Sequence, residues 1–233
     1  MGEKLISVVV PAYNGEQYLG ATLESIFAQD YRPIEIVVVD DGSTDGTAGV
    51  ARSYPGVRLI QQENQGPAGA RNTGLANCCG ELISFLDADD YWQPEKLRVQ
   101  SDYLAAHPEM GCVIGRVHNF LEAGRELPGW ISEAMMTKEG GGWNLGAGLI
   151  QRWVFDRIGP FNPKYLLSDD LEWVVRLTEA GISIGLVEET YLRRRIHSTN
   201  ISKNQNTMAR ERVRILKEHM DRRRAISSGE PAR

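Results

Sequence analysis

The sequence predicts an α/β protein built as a doubly wound, Rossmann-like unit: a mostly parallel sheet flanked by helices. Two observations carry that expectation. Short, β-branched apolar runs recur through the first 86 residues, and each ends in polar turn residues. Between them lie stretches whose apolar side chains repeat at helical spacing. Alternating strand and helix implies right-handed crossovers, and in such sheets a ligand sits beyond the C-terminal ends of the strands.

Residues 5–10 and 34–39 read as strands buried on both faces, and residues 57–60 and 81–86 follow the same pattern. Leu19, Leu23, Ile26 and Phe27 define the first helix. Asn14 is expected to cap it, with Gln17 answering as in a capping box. A second helix is expected from Ser43 or Thr44 to about Tyr54, a third over residues 68–77, and a fourth over residues 94–106. Residues 111–165 are rich in glycine and aromatics, including Gly140-Gly141-Gly142-Trp143 and Gly146-Ala147-Gly148, and read as irregular strands and loops. A helix resumes near Asp169 and stops at Ala180-Gly181. From Lys203 onward the chain holds nine basic and four acidic residues, and residues 227–233 read as disordered. The expected organisation is a first half over residues 1–110, a second over 111–202, and a basic C-terminal helix and tail over 203–233.

The chain has 233 residues with 26 Lys and Arg against 31 Asp and Glu, a formal net charge of −5. That balance argues against nucleic acid as the main partner, because neutralising phosphates takes a basic excess. Cys78, Cys79 and Cys112 form no CxxC pair, so neither a disulfide framework nor a structural zinc site is expected, which fits a reducing cytoplasm. The longest apolar runs fall far short of the roughly 20 residues that span a bilayer, and no basic-then-apolar segment opens the chain. Neither export nor a transmembrane segment is expected.

Three acid clusters lie where a ligand belongs. Asp87, Asp89 and Asp90 follow the fourth strand, and an extended backbone aims Asp87 and Asp89 the same way. Two carboxylates about 5 Å apart repel by roughly 3 kcal/mol at an effective dielectric of about 20, a cost that a divalent cation turns into attraction. A hard cation bridging to a diphosphate is the economical explanation. Asp40-Asp41-Gly42-Ser43 follows the second strand, where a carboxylate can accept a hydrogen bond from the ring N–H of uracil, thymine or guanine. Asp169-Asp170 opens a helix, whose dipole would hold Asp170 ionised at neutral pH as a workable general base. No GxxxxGK[ST] loop and no GxGxxG is present, since the glycines of residues 66–74 have the wrong spacing. Arg71, inside that glycine-rich helix start, can reach a diphosphate or base in the same crevice.

Val8-Val9-Val10-Pro11-Ala12-Tyr13-Asn14, Val38-Val39-Asp40-Asp41-Gly42-Ser43-Thr44-Asp45, Gly69-Ala70-Arg71-Asn72-Thr73-Gly74 and Phe85-Leu86-Asp87-Ala88-Asp89-Asp90, in that order, resemble the nucleotide-sugar half of a family 2 glycosyltransferase of the GT-A fold. Ile158-Gly159-Pro160-Phe161-Asn162 and residues 168–176 resemble the acceptor-side motifs of that family, so the likeness covers about residues 5–202. It implies a metal-dependent, inverting transfer of a sugar from a UDP-, dTDP- or GDP-sugar to an acceptor hydroxyl, in polysaccharide or other glycoconjugate synthesis. It places Pro11, Ala12 and Tyr13 around base and ribose, with Asp41 on the base N–H and Glu16, Asp87 and Ala88 near the ribose. Arg71 would contact the nucleotide, Asp89 would ligate Mn²⁺ or Mg²⁺, and Asp170 would be the base. His197-Ser198-Thr199-Asn200 looks like the late His-x-x-Asn segment of many relatives, which puts the imidazole near the metal or diphosphate, and Arg193-Arg194-Arg195 would add positive charge there.

The rival readings are a metal-dependent phosphatase of the haloacid dehalogenase type, a sugar-nucleotide pyrophosphorylase, and a non-catalytic carbohydrate-binding relative. The first expects Thr or Val where Tyr91 stands, and the second expects a basic glycine-rich N-terminal loop that is missing. Joint retention of Asp87, Asp89 and Asp170 speaks against the third. Acceptor and sugar specificity are expected in residues 111–165, near Trp143. Expected partners are the donor, a carbohydrate or lipid-linked acceptor and, at most, a second copy in a homodimer. The basic segment 210–224 is compatible with peripheral contact at the inner face of a membrane.

Overall fold

The computed structural model describes residues 2–133, 136 and 143–228. The glycine run 140–142 and residues 229–233 of the expected tail lie outside the described residues, whereas Ser227 and Ser228 close a helix. The strands are β1 Ile6–Ala12, β2 Ile34–Asp40, β3 Val57–Gln61, β4 Leu82–Phe85, β5 Tyr91–Trp92, β6 Met110–Phe120, β7 Gly148–Gln151 and β8 Ser183–Arg195. The α-helices among the described residues are α1 Leu19–Phe27, α2 Thr47–Arg52, α3 Gly66–Ala76, α4 Lys96–Ala106, α5 Arg152–Ile158, α6 Asp169–Glu179 and α7 Gln205–Ser228.

One eight-stranded sheet runs through the fold in the order β3-β2-β1-β4-β7-β6-β8-β5. Strands β3, β2, β1 and β4 are parallel, so Asp40, Asp41 and the Asp87–Asp90 segment all emerge on one edge. β7 runs antiparallel to β4 and β6, β8 lies parallel to β6, and β5 is antiparallel to β8. Because side chains alternate along a strand, Ile6, Val8 and Val10 pack with Leu19, Leu23 and Leu97 on one face, while Val9 packs with Val37, Phe85, Phe161 and Trp173 on the other. Both faces are covered by helices, which is why these strands read as unbroken apolar runs. Helix α3 crosses β1 so closely that a Cβ on Gly74 would strike Val9.

Three sequence expectations are corrected here. Asn14 does not cap α1; it sits at φ 50° and its Oδ1 accepts from the Thr44 N–H at 2.8 Å, so the side chain ties two strand-end loops together. Helix α1 begins only at Leu19, without a side-chain cap, and its first amide turns back to the Gly15 carbonyl. Helix α2 is confined to Thr47–Arg52, because the Asp45 carboxylate accepts from the Thr47 N–H at 3.0 Å and sets the start there. Residues 111–165 hold more regular structure than expected: most of the long strand β6, all of β7 and helix α5. Two glycines of this segment, Gly111 and Gly115, are positions of β6 crowded by neighbours, with Tyr191 against Gly115 and Ile182 against Gly111.

Candidate active site

A cleft of about 630 Å³ opens at the C-terminal ends of β1, β2 and β4. Pro11, Ala12 and Tyr13, which end and follow β1, form one wall together with Asp41 from the end of β2. Arg71 of α3 and the trio Asp87, Ala88 and Asp89 form the floor. His197, Asn200 and Lys203, from the segment after β8, close the far side. Topology alone explains the convergence: parallel strands deliver their following loops to one edge, and β8 carries the chain back across it.

The buried Arg71 guanidinium is the central tie. Its Nη1 donates to Asp169 Oδ2 at 2.7 Å and its Nη2 to Asp87 Oδ1 at 2.9 Å. Asp169 is 3% exposed, so its charge is compensated by this arginine rather than by water. Arg71 Nε is buried without a partner among the described residues.

Asp41 is committed more heavily than the sequence suggests. Oδ1 accepts from Gln62 Nε2 at 2.7 Å and the Gln65 N–H at 2.8 Å, and Oδ2 accepts from the Gly66 N–H at 2.8 Å. The carboxylate thereby caps the start of α3 and fixes the loop before it. Of its roughly four lone-pair positions, one on Oδ2 is left for a ligand.

Asp89 faces a compact polar knot. Its Oδ2 lies 2.9 Å from His197 Nε2 and 3.1 Å from Asn200 Nδ2. Thr199 Oγ1 meets the other imidazole nitrogen at 2.8 Å, and the Tyr18 ring packs on the imidazole at 4.9 Å. Asp90 is not part of this knot. It is buried, accepts from the Arg195 N–H at 2.8 Å, and braces β8 behind the cleft. Burial, reinforced by the charges of Asp89 and Asp87, pushes its carboxyl well above the usual range.

Asp170 lies at the head of α6, half-buried, with Oδ1 accepting from the Leu171 N–H at 2.7 Å. The dipole does not decide its titration. Burial first, and then the neighbouring Asp169 charge, raise its pKa to about 6 against the opposing pull of Arg71. It remains mostly ionised at neutral pH, but with a far stronger proton affinity than the helix start implies.

Asp170 itself is not among the residues that line the cleft, and two further sequence-predicted contributors stand elsewhere. Glu16 does not line the cleft; its Oε2 accepts from the Gly46 N–H at 3.0 Å, at the start of α2. None of the three arginines 193–195 lines the cleft: Arg195 pairs with Glu122 at 2.5 Å, donates to the Asp89 carbonyl and lies over the rings of Tyr18 and Phe120, and Arg194 donates to Ser202. Among the described residues lining the cleft, the permanent cations are Arg71 and Lys203. Lys203, Asn200 and Tyr18 were not singled out from sequence, although the His-x-x-Asn spacing already offered Asn200.

The chain matches the profile of glycosyl transferase family 2 over residues 7–162, a span that includes both strand-end acid clusters. The chain belongs to this family. It is 31% identical over 212 residues to an uncharacterized glycosyltransferase of Nostoc sp., covering 84% of this chain and 66% of that one. It is 39% identical over 104 residues to an Escherichia coli UDP-Glc:α-D-GlcNAc-diphosphoundecaprenol β-1,3-glucosyltransferase, covering 43% of this chain and 41% of that one. The chain thus spans two thirds or less of the length of these relatives. In fold it resembles a Pyrobaculum calidifontis mannosyltransferase solved with GDP-Man and Mn²⁺, with a TM-score of 0.74 at 21% identity, covering 95% of this chain and 65% of that one. The sheet and its flanking helices are therefore a GT-A fold, and the cleft occupies the strand-end edge of that family 2 fold. Among the described residues no three His, Cys, Asp or Glu side chains gather to hold a metal by themselves.

Proposed function

We propose that the cleft binds a nucleoside-diphosphate sugar and that the chain transfers its sugar, with inversion, to a hydroxyl of a carbohydrate or lipid-linked acceptor in polysaccharide or glycoconjugate synthesis. The observation that carries this reading is the convergence of Asp41, Asp87, Asp89 and His197 on one 630 Å³ cleft, with Arg71 tying its floor to the helix that bears Asp170. The named acceptor of the Escherichia coli relative supports a lipid-linked diphosphate as one acceptor class. Asp41 Oδ2 would accept from the base N–H, against the wall of Pro11, Ala12 and Tyr13. Asp87, 46% exposed at its side chain and steered by Arg71, would accept from ribose hydroxyls beside Ala88. That same Arg71 pairing makes Asp87 a poor nucleophile and weakens the phosphatase reading.

Asp89 and His197 fit a divalent cation. A carboxylate oxygen and an imidazole nitrogen are both donors that such an ion takes. Asp89 Oδ2 and His197 Nε2 stand 2.9 Å apart on the cleft wall. The pair would hold Mn²⁺ or Mg²⁺ jointly with oxygens of the diphosphate, since no third protein ligand joins them among the described residues. When bound, such an ion supplies charge stabilisation to the departing diphosphate. Lys203 would add to that stabilisation from the cleft rim. Asp170, ionised, would take the proton of the attacking hydroxyl on the face opposite the leaving group.

Thermal shift with UDP, dTDP and GDP, with and without Mn²⁺, tests the reading. A ligand at about 100-fold its Kd stabilises by about 2.7 kcal/mol, so one nucleotide should raise the Tm, and Mn²⁺ should raise it further. Asp89→Ala should lose the Mn²⁺ increment and metal-dependent transfer. Unchanged metal-dependent transfer by Asp89→Ala would overturn the assignment.

A further inference from the structure

We infer that the outward face of α7 docks on an anionic phospholipid membrane. The charges of its inward face are paired with the body of the protein: Arg222 donates to Glu179, and Arg214 lies over the Tyr165 ring. The inward face also uses its acids: Glu211 accepts from the Leu166 and Leu167 N–H groups at 2.8 and 3.0 Å, and Glu218 takes Lys164 Nζ and the Tyr165 hydroxyl at 2.8 and 2.7 Å. Ile215, 1% exposed, marks the centre of that packed face.

The opposite face carries an apolar stripe left exposed among the described residues. Val213, Leu216 and Met220 are 67%, 57% and 51% exposed, and their spacing puts them in one row. The 3.6-residue period places exposed Arg210, Lys217 and Arg224 along one edge of this row and exposed Arg212 along the other. Asp221 is the acid on that side, 4.0 Å from Arg224. An apolar row between basic edges fits a bilayer interface, with aliphatic side chains among the acyl chains and cations at the headgroups. A second copy of the chain is the poorer occupant, because a two-fold contact through this stripe would bring the basic edges of the two copies together.

The helix also contacts a wall of the cleft. Leu166, whose amide Glu211 holds, lines the cleft mouth and is 50% exposed. A membrane under α7 would therefore lie close to the cleft rim.

Flotation of the full chain with phosphatidylcholine vesicles carrying about one-third phosphatidylglycerol, against phosphatidylcholine alone, tests the inference. Binding is expected to the anionic vesicles only, and to weaken as salt rises. Leu216→Asp with Met220→Asp should weaken it about 10-fold or more, since both side chains are already exposed in the folded protein and their replacement leaves the core intact. Arg210→Glu and Lys217→Glu should each weaken it roughly 5-fold or more, because each reversal takes one cation from the headgroup layer and sets an anion in its place. Should the paired aspartates disturb the helix by circular dichroism, the two charge reversals decide alone. Equal binding to both vesicle types, no binding at low salt, or a dimer by light scattering that the aspartates dissolve while vesicles are ignored would each overturn it. Flotation reads the helix face and not sugar transfer, so its failure leaves the reading of the cleft in place.

Discussion

Arg71 Nη1 and Asp169 Oδ2 meet at 2.7 Å across 98 residues of chain, and both side chains are buried. The pair joins α3, the glycine-rich helix that supplies Arg71 to the cleft floor, to the first turn of α6, where Asp170 sits. Removing one partner of such a pair leaves a buried charge and typically costs about 3–5 kcal/mol. Arg71→Met should therefore lower stability by about that amount in urea denaturation, and Asp169→Asn in the same background should restore most of it. Arg71→Lys should restore little, because an ammonium cannot span two carboxylates as a planar fork does. A loss below about 1 kcal/mol for Arg71→Met would show that the tie is not structural.

The raised pKa of Asp170 gives its proposed role as base a pH signature and couples its burial to stability. With its pKa raised to about 6, the acid limb of kcat/KM should fall through that value, since only the ionised form accepts a proton. Asp170→Asn should lose roughly 10²-fold or more in transfer while still binding nucleotide. The stability sign follows from the direction of the shift. The folded state holds the Asp170 proton more tightly than the unfolded chain does, so stability falls as pH rises from the ordinary aspartate range through about 6 and stays reduced above it. Asp170→Asn, which cannot ionise, should be more stable than the parent at pH 7–8 by roughly 1–3 kcal/mol, and nearly equal to it at pH about 4. A variant that gains nothing at the higher pH, or a flat acid limb, would argue against both assignments.

The parallel half of the sheet was legible because its physics is local. A strand buried on both faces must be apolar throughout, and the turn that follows it must be polar, so Asp41, Asp87 and Asp89 could be placed at a common edge from spacing alone. The second half was not. β6 pairs with β8 through register shifts, and Gly111 and Gly115 dilute the alternation that would have marked a strand. The partners of the site residues were also beyond reach. Nothing near Arg71 in sequence points to Asp169, and nothing near Arg195 points to Glu122. Asp41 shows the same limit: its place at a strand end was readable, but its capping of α3 depends on how residues 62–66 fold back over it.

That double duty of Asp41 makes its structural and ligand roles separable. The three hydrogen bonds it accepts are internal, and losing a helix cap costs about 1–2 kcal/mol, so Asp41→Asn should lower the Tm even without nucleotide. If its remaining Oδ2 position takes the base N–H, a hydrogen bond to a charged acceptor worth about 1.5–3 kcal/mol is also lost, and the preferred nucleotide should bind roughly 10- to 100-fold more weakly. Methylating the ring nitrogen of that nucleotide separates the two effects. Parent protein should bind the methylated form about as weakly as Asp41→Asn binds the unmethylated one, and the variant should scarcely distinguish the two nucleotides. Calorimetric titration of the four combinations measures the coupling. A variant that discriminates as sharply as the parent would leave Asp41 as the cap of α3 and move base recognition to another wall of the cleft.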